Sequence, residues 1–231
     1  MVVDGTIGGA LRCWGLSYIP EYDDMEQEKD DYLFLQIASQ IEKRDYYSFK
    51  NRTILLKCLS QLDLIYDKGY SAKESYPYTI LEIGIGREDR FLNTSTSVLA
   101  GIKNWNVRYT GIDKEDRSYL RTLIPNVVLI QDSSENALET LKDWGVEMDL
   151  LHIDGSHSVN NVLIDWEFTE FVKDTGIIVL HDIKCHPGPR LLVDAIDRDI
   201  YTVHKMFLDD PKDFGMAVVY KKENEYDAVC S

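Results

Sequence analysis

The sequence predicts an α/β fold with a mostly parallel sheet. After residue 77, short apolar runs alternate with segments of helical periodicity, the pattern that strands and crossover helices produce. Two of the apolar runs stop abruptly at acidic and histidine residues, in the segments 148–157 and 176–182. A buried parallel strand is a continuous apolar run, and ligands of open α/β sheets bind outside the carboxyl ends of the strands. We therefore expect a functional site at the edge of the sheet where these two strands end.

Each element follows from periodicity and breaker residues. Before residue 77, apolar residues at helical spacing predict two amphipathic helices, at about 30–43 and 49–66. The polar stretch 67–77 breaks this pattern, so we expect an N-terminal helical extension or lid in residues 1–75 and a separate domain in residues 76–231. Strands are expected at 78–83, 107–112, 127–130, 149–153, 177–180, 201–207 and 216–221. Helices are expected at 94–103, 115–123, 134–144, 159–172 and 190–198. The last two strands have no helix between them, which predicts an antiparallel hairpin.

Composition limits the class of partner. The 231 residues include 25 Lys and Arg and 40 Asp and Glu, which gives a net charge of −15. Such an acidic surface repels nucleic acid and anionic membranes, so we expect neither as a partner, while self-association is left open. The four cysteines show no metal-binding or disulfide spacing, and neither a signal peptide nor a membrane span is evident. We therefore expect a cytoplasmic protein.

Two glycines follow the first predicted strand. Gly84 and Gly86 in LEIGIGR permit a tight turn and the close approach of a ligand. The dinucleotide fingerprint would require a third glycine where Asp89 stands, which argues against an NAD-dependent oxidoreductase. A strand-to-helix turn that binds no ligand explains the two glycines about as well. Glu82, just before them, favours a ligand with a cationic or hydroxyl group.

Acids also end the second and third predicted strands. Asp113 is placed to bind the hydroxyl groups of a ribose, as in doubly wound nucleoside sites, although helix capping would explain it nearly as well. Asp132 is a candidate acceptor for the amino group of an adenine. Ser133 or Ser134, which follow it, could instead form the N-cap of the next helix.

The strongest signal lies at the ends of the fourth and fifth predicted strands. Asp154 and His157 follow one strand, and His181 and Asp182 end the other. A hard cation such as Mg²⁺ prefers carboxylate ligands, whereas the imidazole of His181 would suit Mn²⁺, Fe²⁺ or Zn²⁺ better. His157 could remove a proton from a hydroxyl group, because imidazole titrates near neutral pH. The alternative is a capping turn, in which Asp154 or Ser158 bonds the first backbone N–H groups of the next helix.

Together these segments resemble the class I S-adenosylmethionine-dependent methyltransferases. LEIGIGR resembles their first motif, GIDKED their ribose-binding strand end and IQDSS their adenine-contacting turn. The segment 153–183 is the most specific, and it resembles the metal-dependent small-molecule O-methyltransferases, which include catechol, macrolide-sugar and cephalosporin-hydroxylase-like groups. GMAVVYKK resembles their antiparallel seventh strand, so the resemblance covers about residues 78–222.

The resemblance implies a Rossmann-like, doubly wound, seven-stranded sheet of order 3-2-1-4-5-7-6, with strand 7 antiparallel and an N-terminal helical cover. It implies that Asp154, His181 and Asp182 hold a divalent metal, with Mg²⁺ as the first choice. His181 stands where the family usually has Asp or Glu. His157 takes the place of the family's base, beside Asp154. The residues expected to hold S-adenosylmethionine are Glu82, Gly84, Gly86, Asp113, Asp132 and Ser133.

We therefore expect methyl transfer from S-adenosylmethionine to a hydroxyl group of a small molecule, assisted by a divalent metal. A second hypothesis is a catalytically inactive relative that acts as a partner-binding subunit. Glu88 keeps this hypothesis open, because it stands where the family often has a third glycine. Failure to bind any adenosyl ligand would favour the inactive relative.

Overall fold

The computed structural model describes residues 46–69, 78–88, 94–100, 107–124, 127–211 and 213–222. The strands are β1 (Tyr78–Ile83), β2 (Val107–Asp113), β3 (Val128–Gln131), β4 (Met148–Ile153), β5 (Val172–His181), β6 (Tyr201–Met206) and β7 (Met216–Lys221). They form a seven-stranded sheet of order β3-β2-β1-β4-β5-β7-β6. Strand β7 runs antiparallel to both of its neighbours, and the other pairs are parallel. The predicted fold class, strand order and antiparallel seventh strand are therefore confirmed.

Helices cover both faces of this sheet. They are α1 (Tyr46–Gly69), α2 (Ser95–Leu99), α3 (Leu120–Leu123), α4 (Ser134–Trp144), α5 (Val159–Glu167) and α6 (Pro187–Ala195), with a 3₁₀ turn at Phe168–Phe171. Helix α4 has its predicted bounds because Ser133 caps its N-terminus and Gly145, with a φ of 60°, ends it. The helix predicted at 30–43 lies outside the described residues.

The helix predicted at 115–123 is found only in its last four residues. The side chain of Asp113 accepts a hydrogen bond from the backbone N–H of Glu115, and that of Asp116 accepts one from Ser118. Such local side-chain bonds offer the backbone an alternative to the helix, so the chain stays in turns before α3.

Helices α5 and α6 also differ from the prediction at their ends. The helix predicted at 159–172 ends at Glu167, and the chain passes through the 3₁₀ turn into β5, which begins at Val172. Helix α6 begins at Pro187, three residues before the predicted start. Proline suits the first turn of a helix because it has no N–H to leave unpaired and its φ is already helical.

The core lies on both faces of the sheet. Leu81 and Leu151 belong to a core that α4, α5 and α6 complete, whereas Ile80 and Leu150 belong to a second core under α1 and α2. The division follows from the alternation of side chains along a strand. Leu55 of α1 is buried in the second core, so this helix packs directly on the sheet.

The boundary predicted near residue 75 falls outside the described residues. Within the ranges that the structure describes, none of the helices is long and apolar enough to cross a membrane.

Candidate functional site

A cleft with a volume of about 900 Å³ lies at the carboxyl ends of the parallel strands. This volume is in the range of pockets that bind small molecules. The turns that follow β1 to β4 and the last residue of β5 border the cleft, and Asn51, Arg52 and Leu55 of α1 line one side. The predicted site residues that line it are Gly84, Gly86, Asp113, Asp132, Asp154 and His181.

The turn after β1 requires glycine for packing as well as for access. Gly84 has a φ of +88°, and a Cβ atom there would lie 2.2 Å from the backbone oxygen of Asp154. Its N–H donates to the backbone oxygen of Ile112 over 2.9 Å. The N–H of Asp154 donates to the backbone oxygen of Ile83, the last residue of β1, also over 2.9 Å. At Gly86, a Cβ atom would lie 2.3 Å from the Thr94 side chain. The turn would therefore need both glycines even without a ligand, as the alternative explanation proposed.

Glu82 is fully buried, and protein groups engage both of its carboxylate oxygens. The Tyr109 hydroxyl donates to Oε2 over 2.5 Å, the Ser95 hydroxyl donates to Oε1, and His152 Nδ1 lies 3.2 Å from Oε1. Burial and the charge of Glu82 raise the pKa of Tyr109 well above its ordinary value. Glu82 thus anchors the floor of the site, and His152 rather than Glu82 reaches the lining of the cleft.

Asp113 organises the turn after β2. Its Oδ2 accepts hydrogen bonds from the backbone N–H of Ile85 and from Arg117 Nε, each over 3.0 Å. Its Oδ1 accepts one from the N–H of Glu115 over 2.9 Å. It does not cap α3, whose N-cap is Tyr119. Since a carboxylate offers about four lone-pair positions, Asp113 retains acceptor capacity for a hydroxyl group in the cleft.

Asp132 is exposed at the end of β3. Its Oδ1 accepts hydrogen bonds from Asn136 Nδ2 over 2.8 Å and from the Ser133 N–H over 2.7 Å. These bonds, led by that from Asn136, lower the pKa of Asp132. The Ser133 hydroxyl accepts from the Asn136 N–H as the N-cap of α4, and Ser134 lines the cleft. The capping alternative therefore holds for Ser133, while Asp132 lines the cleft.

Four predicted residues meet at the ends of β4 and β5. His181 Nδ1 lies 2.9 Å from Asp182 Oδ1 and 3.3 Å from Asp154 Oδ1. His157 Nε2 lies 2.7 Å from Asp182 Oδ2. Asp182 thus turns one carboxylate oxygen to each histidine. The alternative of a capping turn holds for Ser158, which is the N-cap of α5, and not for Asp154.

The charges of this cluster shift the pKa values of two members in opposite directions. Burial alone would lower the pKa of His181, but Asp154 and Asp182 raise it well above its ordinary value. Burial alone would raise the pKa of Asp154, but His181 and, at longer range, His152 and His157 hold it below its ordinary value. The carboxylates of Asp154 and Asp182 therefore stabilise a positive charge placed between them, here that of His181.

The same donor set fits a divalent cation. Asp154, His181 and Asp182 each offer a ligand atom, and these atoms lie within 4.8 Å of one another. Two ligands at right angles around an ion, with bonds of about 2.1 Å, lie roughly 3.0 Å apart. Their separations here, 2.9 and 3.3 Å, are close to that value. Asp182 Oδ1 is buried without an aligned hydrogen-bond donor among the described residues, so a cation bound here would supply the partner that this oxygen lacks.

His186 joins the cluster as the N-cap of α6, whereas the sequence pattern favours a loop residue at this position. Its ring stacks on that of His157, with the ring centroids 3.8 Å apart and the planes 8° apart. Its Nε2 lies 3.9 Å from Asp182 Oδ2. The stack limits the orientations of the His157 ring. A histidine directly before Pro187, at the start of a helix, was the only local indication.

Helix α1 adds Asn51, which the sequence pattern also missed. Its Nδ2 lies 2.7 Å from His181 Nε2. Lys50, the preceding residue, forms an ion pair of 2.6 Å with Asp210, between β6 and β7. Local patterns could not identify Asn51, because its partner is 130 residues away in the sequence.

Residues 88–183 match a family model described as a methyltransferase domain. No curated protein matches the chain. Among solved structures, the chain is similar to a candidate caffeoyl-CoA O-methyltransferase from Staphylococcus aureus, at 15% identity and a TM-score of 0.51. That alignment covers 94% of this chain and 93% of the other, and it shows that the two share a fold.

Two further solved structures are similar at lower TM-scores. One is the MycE methyltransferase of mycinamycin biosynthesis, in complex with Mg, SAH and mycinamycin VI, at 22% identity and a TM-score of 0.47. The alignment covers 71% of this chain and 50% of MycE, so the chain spans half the length of that protein. The other is apo CalS11, a TDP-rhamnose 3′-O-methyltransferase of calicheamicin biosynthesis, at 13% identity, a TM-score of 0.48 and coverage of 91% and 98%.

Proposed function

We propose that the chain transfers a methyl group from S-adenosylmethionine to a hydroxyl group of a small molecule. The match of residues 88–183 to a family model described as a methyltransferase domain supports this proposal. The observation that best supports this proposal is that one cleft joins two different kinds of site. Glycines and acids suited to a nucleoside line one part of it, after β1, β2 and β3. Asp154 and His181 line another part, where the chemistry suits a cation and a hydroxyl group.

Four residues would hold the cofactor directly. Gly84 and Gly86 leave room for it, Asp113 would accept hydrogen bonds from the ribose hydroxyls, and Asp132 would accept one from the adenine amino group. S-adenosylmethionine supplies an electrophilic methyl group. Glu82 and Ser133 would act less directly: Glu82 fixes His152 and Tyr109 beneath the cleft, and Ser133 caps α4 beside it.

Asp154, His181 and Asp182 would hold a divalent cation, which lowers the pKa of a hydroxyl group bound next to it. His157 would accept the proton of that hydroxyl. Its Nε2 faces Asp182 Oδ2, so Nε2 would carry the ring proton and Nδ1 the free lone pair. Asp182 would then stabilise the imidazolium that forms, as the carboxylate partner of a histidine base does in other enzymes.

Helix α1, the described part of the N-terminal region, would act as a cover of this site. Helix α1 is the part of residues 1–75 that the structure describes, and it lines the cleft through Asn51, Arg52 and Leu55. We propose that α1 excludes water from the reacting groups held by residues 76–231. We keep the cytoplasm as the expected location, on the composition of the sequence.

Calorimetric titration of S-adenosylhomocysteine into the full chain tests the proposal. We expect micromolar binding in the presence of Mg²⁺. Asp113→Asn should weaken it by about 10-fold or more, because hydrogen bonds to a charged group contribute roughly 1.5–3 kcal/mol. Asp143→Asn is the matched control, since Asp143 is exposed on α4.

The same titration in EDTA separates the two parts of the site. Binding that persists in EDTA would mean that the metal serves the acceptor. If no binding occurs with Mg²⁺ or with EDTA, the proposal fails, and the partner-binding subunit becomes the better hypothesis.

A further inference from the structure

The contact between Asn51 and His181 joins α1 to the candidate metal cluster, which consists of Asp154, His181 and Asp182. Asn51 Nδ2 lies 2.7 Å from His181 Nε2. The other ring nitrogen, Nδ1, lies between the carboxylates of Asp154 and Asp182. Asn51 Oδ1 is buried and has no hydrogen-bond partner among the described residues. The amide therefore contacts the ring through Nδ2, while its oxygen Oδ1 accepts no hydrogen bond from the described residues.

The chemistry of imidazole determines how the amide must face the ring when Nδ1 binds an ion. A metal-binding nitrogen is unprotonated, so the single proton of the neutral ring is on Nε2. That N–H needs an acceptor. Turning the Asn51 amide by about 180° exchanges Oδ1 and Nδ2, an alternative that fits the same side-chain shape. The same rotation gives the buried Oδ1 the partner that it lacks.

We propose that Asn51 is a positioning residue: through an Nε2–H···Oδ1 hydrogen bond it holds His181 as the Nδ1 ligand of a divalent first-row transition-metal ion. This role presupposes the metal site of the proposed function and specifies which ions that site prefers. In this role Asn51 would act on the ion only through the ring of His181.

The nitrogen ligand decides the preference for the ion. Mg²⁺ is bound mainly by oxygen atoms, whereas imidazole suits Fe²⁺, Co²⁺, Ni²⁺ and Zn²⁺, and it is accepted by Mn²⁺. If the ring of His181 were free to turn, only Asp154 and Asp182 would face the ion. Partners that fix a histidine ligand also set its tautomer and raise its basicity.

The position of Asn51 is itself fixed by contacts on either side of it in α1. Lys50 pairs with Asp210 over 2.6 Å, and its ammonium nitrogen lies 5.7 Å from the centroid of the Phe207 ring. Leu55, one turn further along, is buried in the core. The helix therefore presents the amide to His181 from a packed surface.

Metal titrations of the full chain, without cofactor, test this role. Co²⁺ and Mg²⁺ binding are followed by calorimetry, and pulsed EPR of bound Mn²⁺ detects coupling to an imidazole nitrogen. For the wild type we expect nitrogen coupling and at least about 10-fold tighter binding of Co²⁺ than of Mg²⁺. Asn51→Ala should weaken Co²⁺ binding by about 10–100-fold, and Asn51→Asp, which keeps an acceptor, should restore it.

A second background shows whether Asn51 acts through the ring. In His181→Asp, the imidazole is gone, and adding Asn51→Ala should change Co²⁺ affinity by less than about 2-fold. Ser60→Ala, at a half-buried position of the same helix, controls for general effects on α1. Asn51→Ser is measured in parallel, so that the result does not depend on the folding of a single variant.

Three results would overturn the role of Asn51. They are Mn²⁺ without nitrogen coupling in the wild type, wild-type Co²⁺ affinity in Asn51→Ala and Asn51→Ser, and an equal loss of affinity from Asn51→Ala in the His181→Asp background. Titration of S-adenosylhomocysteine into the same preparations keeps the two proposals apart. Absence of that binding in the wild type counts against the proposed function alone, because the metal titrations use no cofactor.

Discussion

Asp182 has a backbone conformation that few residues adopt. Its φ is 61°, in the left-handed region, where Asp and Asn are tolerated better than most other residues. The same residue places one carboxylate oxygen beside His181 and the other beside His157. A non-glycine residue in this conformation at the centre of a polar cluster is typical of functional sites.

Replacement of His157 by alanine tests the proposed base. We expect turnover to fall by about 10²–10⁴-fold, the usual contribution of a general base, while the affinity for S-adenosylhomocysteine is nearly unchanged. His204→Gln is the control, because His204 is bonded to the Tyr220 hydroxyl on β6 and β7, among residues that do not line the cleft. A large loss of cofactor affinity in His157→Ala would show that the side chain has another role.

At the scale of elements, the turns after β1 and β4 fit against each other. A side chain at Gly84 would meet the backbone of Asp154 and Gly155, which cannot move without disturbing both strand ends. We expect Gly84→Ala to lower the free energy of unfolding by roughly 2–4 kcal/mol, from the strained φ and the overlap together. Urea denaturation at neutral pH measures the loss.

Gly145 provides the matched comparison for this substitution. It also has a positive φ, of 60°, but a Cβ atom there would have no neighbour within 4 Å among the described residues. Gly145→Ala should therefore cost only about 1 kcal/mol, from the conformation alone. Equal losses for the two variants would mean that the contact with Asp154 does not matter.

Helix α5 carries a buried acid that the proposed mechanism does not use. Burial raises the pKa of Asp165 to about 6, against weaker opposing effects of Ser134 and Lys114. An acid whose pKa is raised in the folded state binds its proton more tightly there than in the unfolded chain. Its stabilisation is present at pH below about 4 and is lost as the pH rises to 6.

Asp165→Asn should therefore stabilise the protein only at higher pH. The difference between a pKa of about 6 and the ordinary 3.8 corresponds to about 3 kcal/mol. We expect a gain approaching this value at pH 8 and little change at pH 4, measured by urea denaturation. Asp143→Asn, at an exposed position of α4, should show neither effect. A gain of equal size at both pH values would exclude ionisation of Asp165 as the cause.

On the scale of the whole molecule, the candidate metal cluster lies at the ends of β4 and β5. Asn51 of α1 and His186 at the start of α6 contact it. A ligand that binds only the folded state stabilises it by about 2.7 kcal/mol at 100 times its Kd. For a protein of this length, that free energy corresponds to a rise in Tm of roughly 5–10 °C. We therefore expect saturating Mn²⁺ to raise Tm by this amount and EDTA to reverse the rise.

The effect of Mn²⁺ should depend on the cluster. In Asp182→Asn, which keeps the shape and the tolerance of a positive φ, the rise in Tm should be largely lost. Asp199→Asn is the control, since Asp199 is exposed between α6 and β6. The same rise in both variants would place the ion elsewhere on the protein.

How far the sequence predicts this protein differs between elements. Strand β1, strand β7 and helix α4 have the predicted bounds, because apolar runs, caps and a left-handed glycine are local features. The predicted start of α3 and the predicted end of α5 were wrong. Before α3, the side chains of Asp113 and Asp116 accept backbone hydrogen bonds and so take the place of helical bonds. After α5, apolar residues continue through the 3₁₀ turn into β5, so the sequence pattern does not mark the end of the helix.

The sequence by itself determined the parallel sheet, its order through the resemblance, and the strand ends that carry Asp154, His157, His181 and Asp182. These are consequences of periodicity and of the rule that carboxyl ends of parallel strands meet at one edge. Only the tertiary structure decided what the side chains contact. Glu82 is buried and bonded by Tyr109, and Asn51 contacts His181. Such contacts depend on how distant segments pack and not on local pattern.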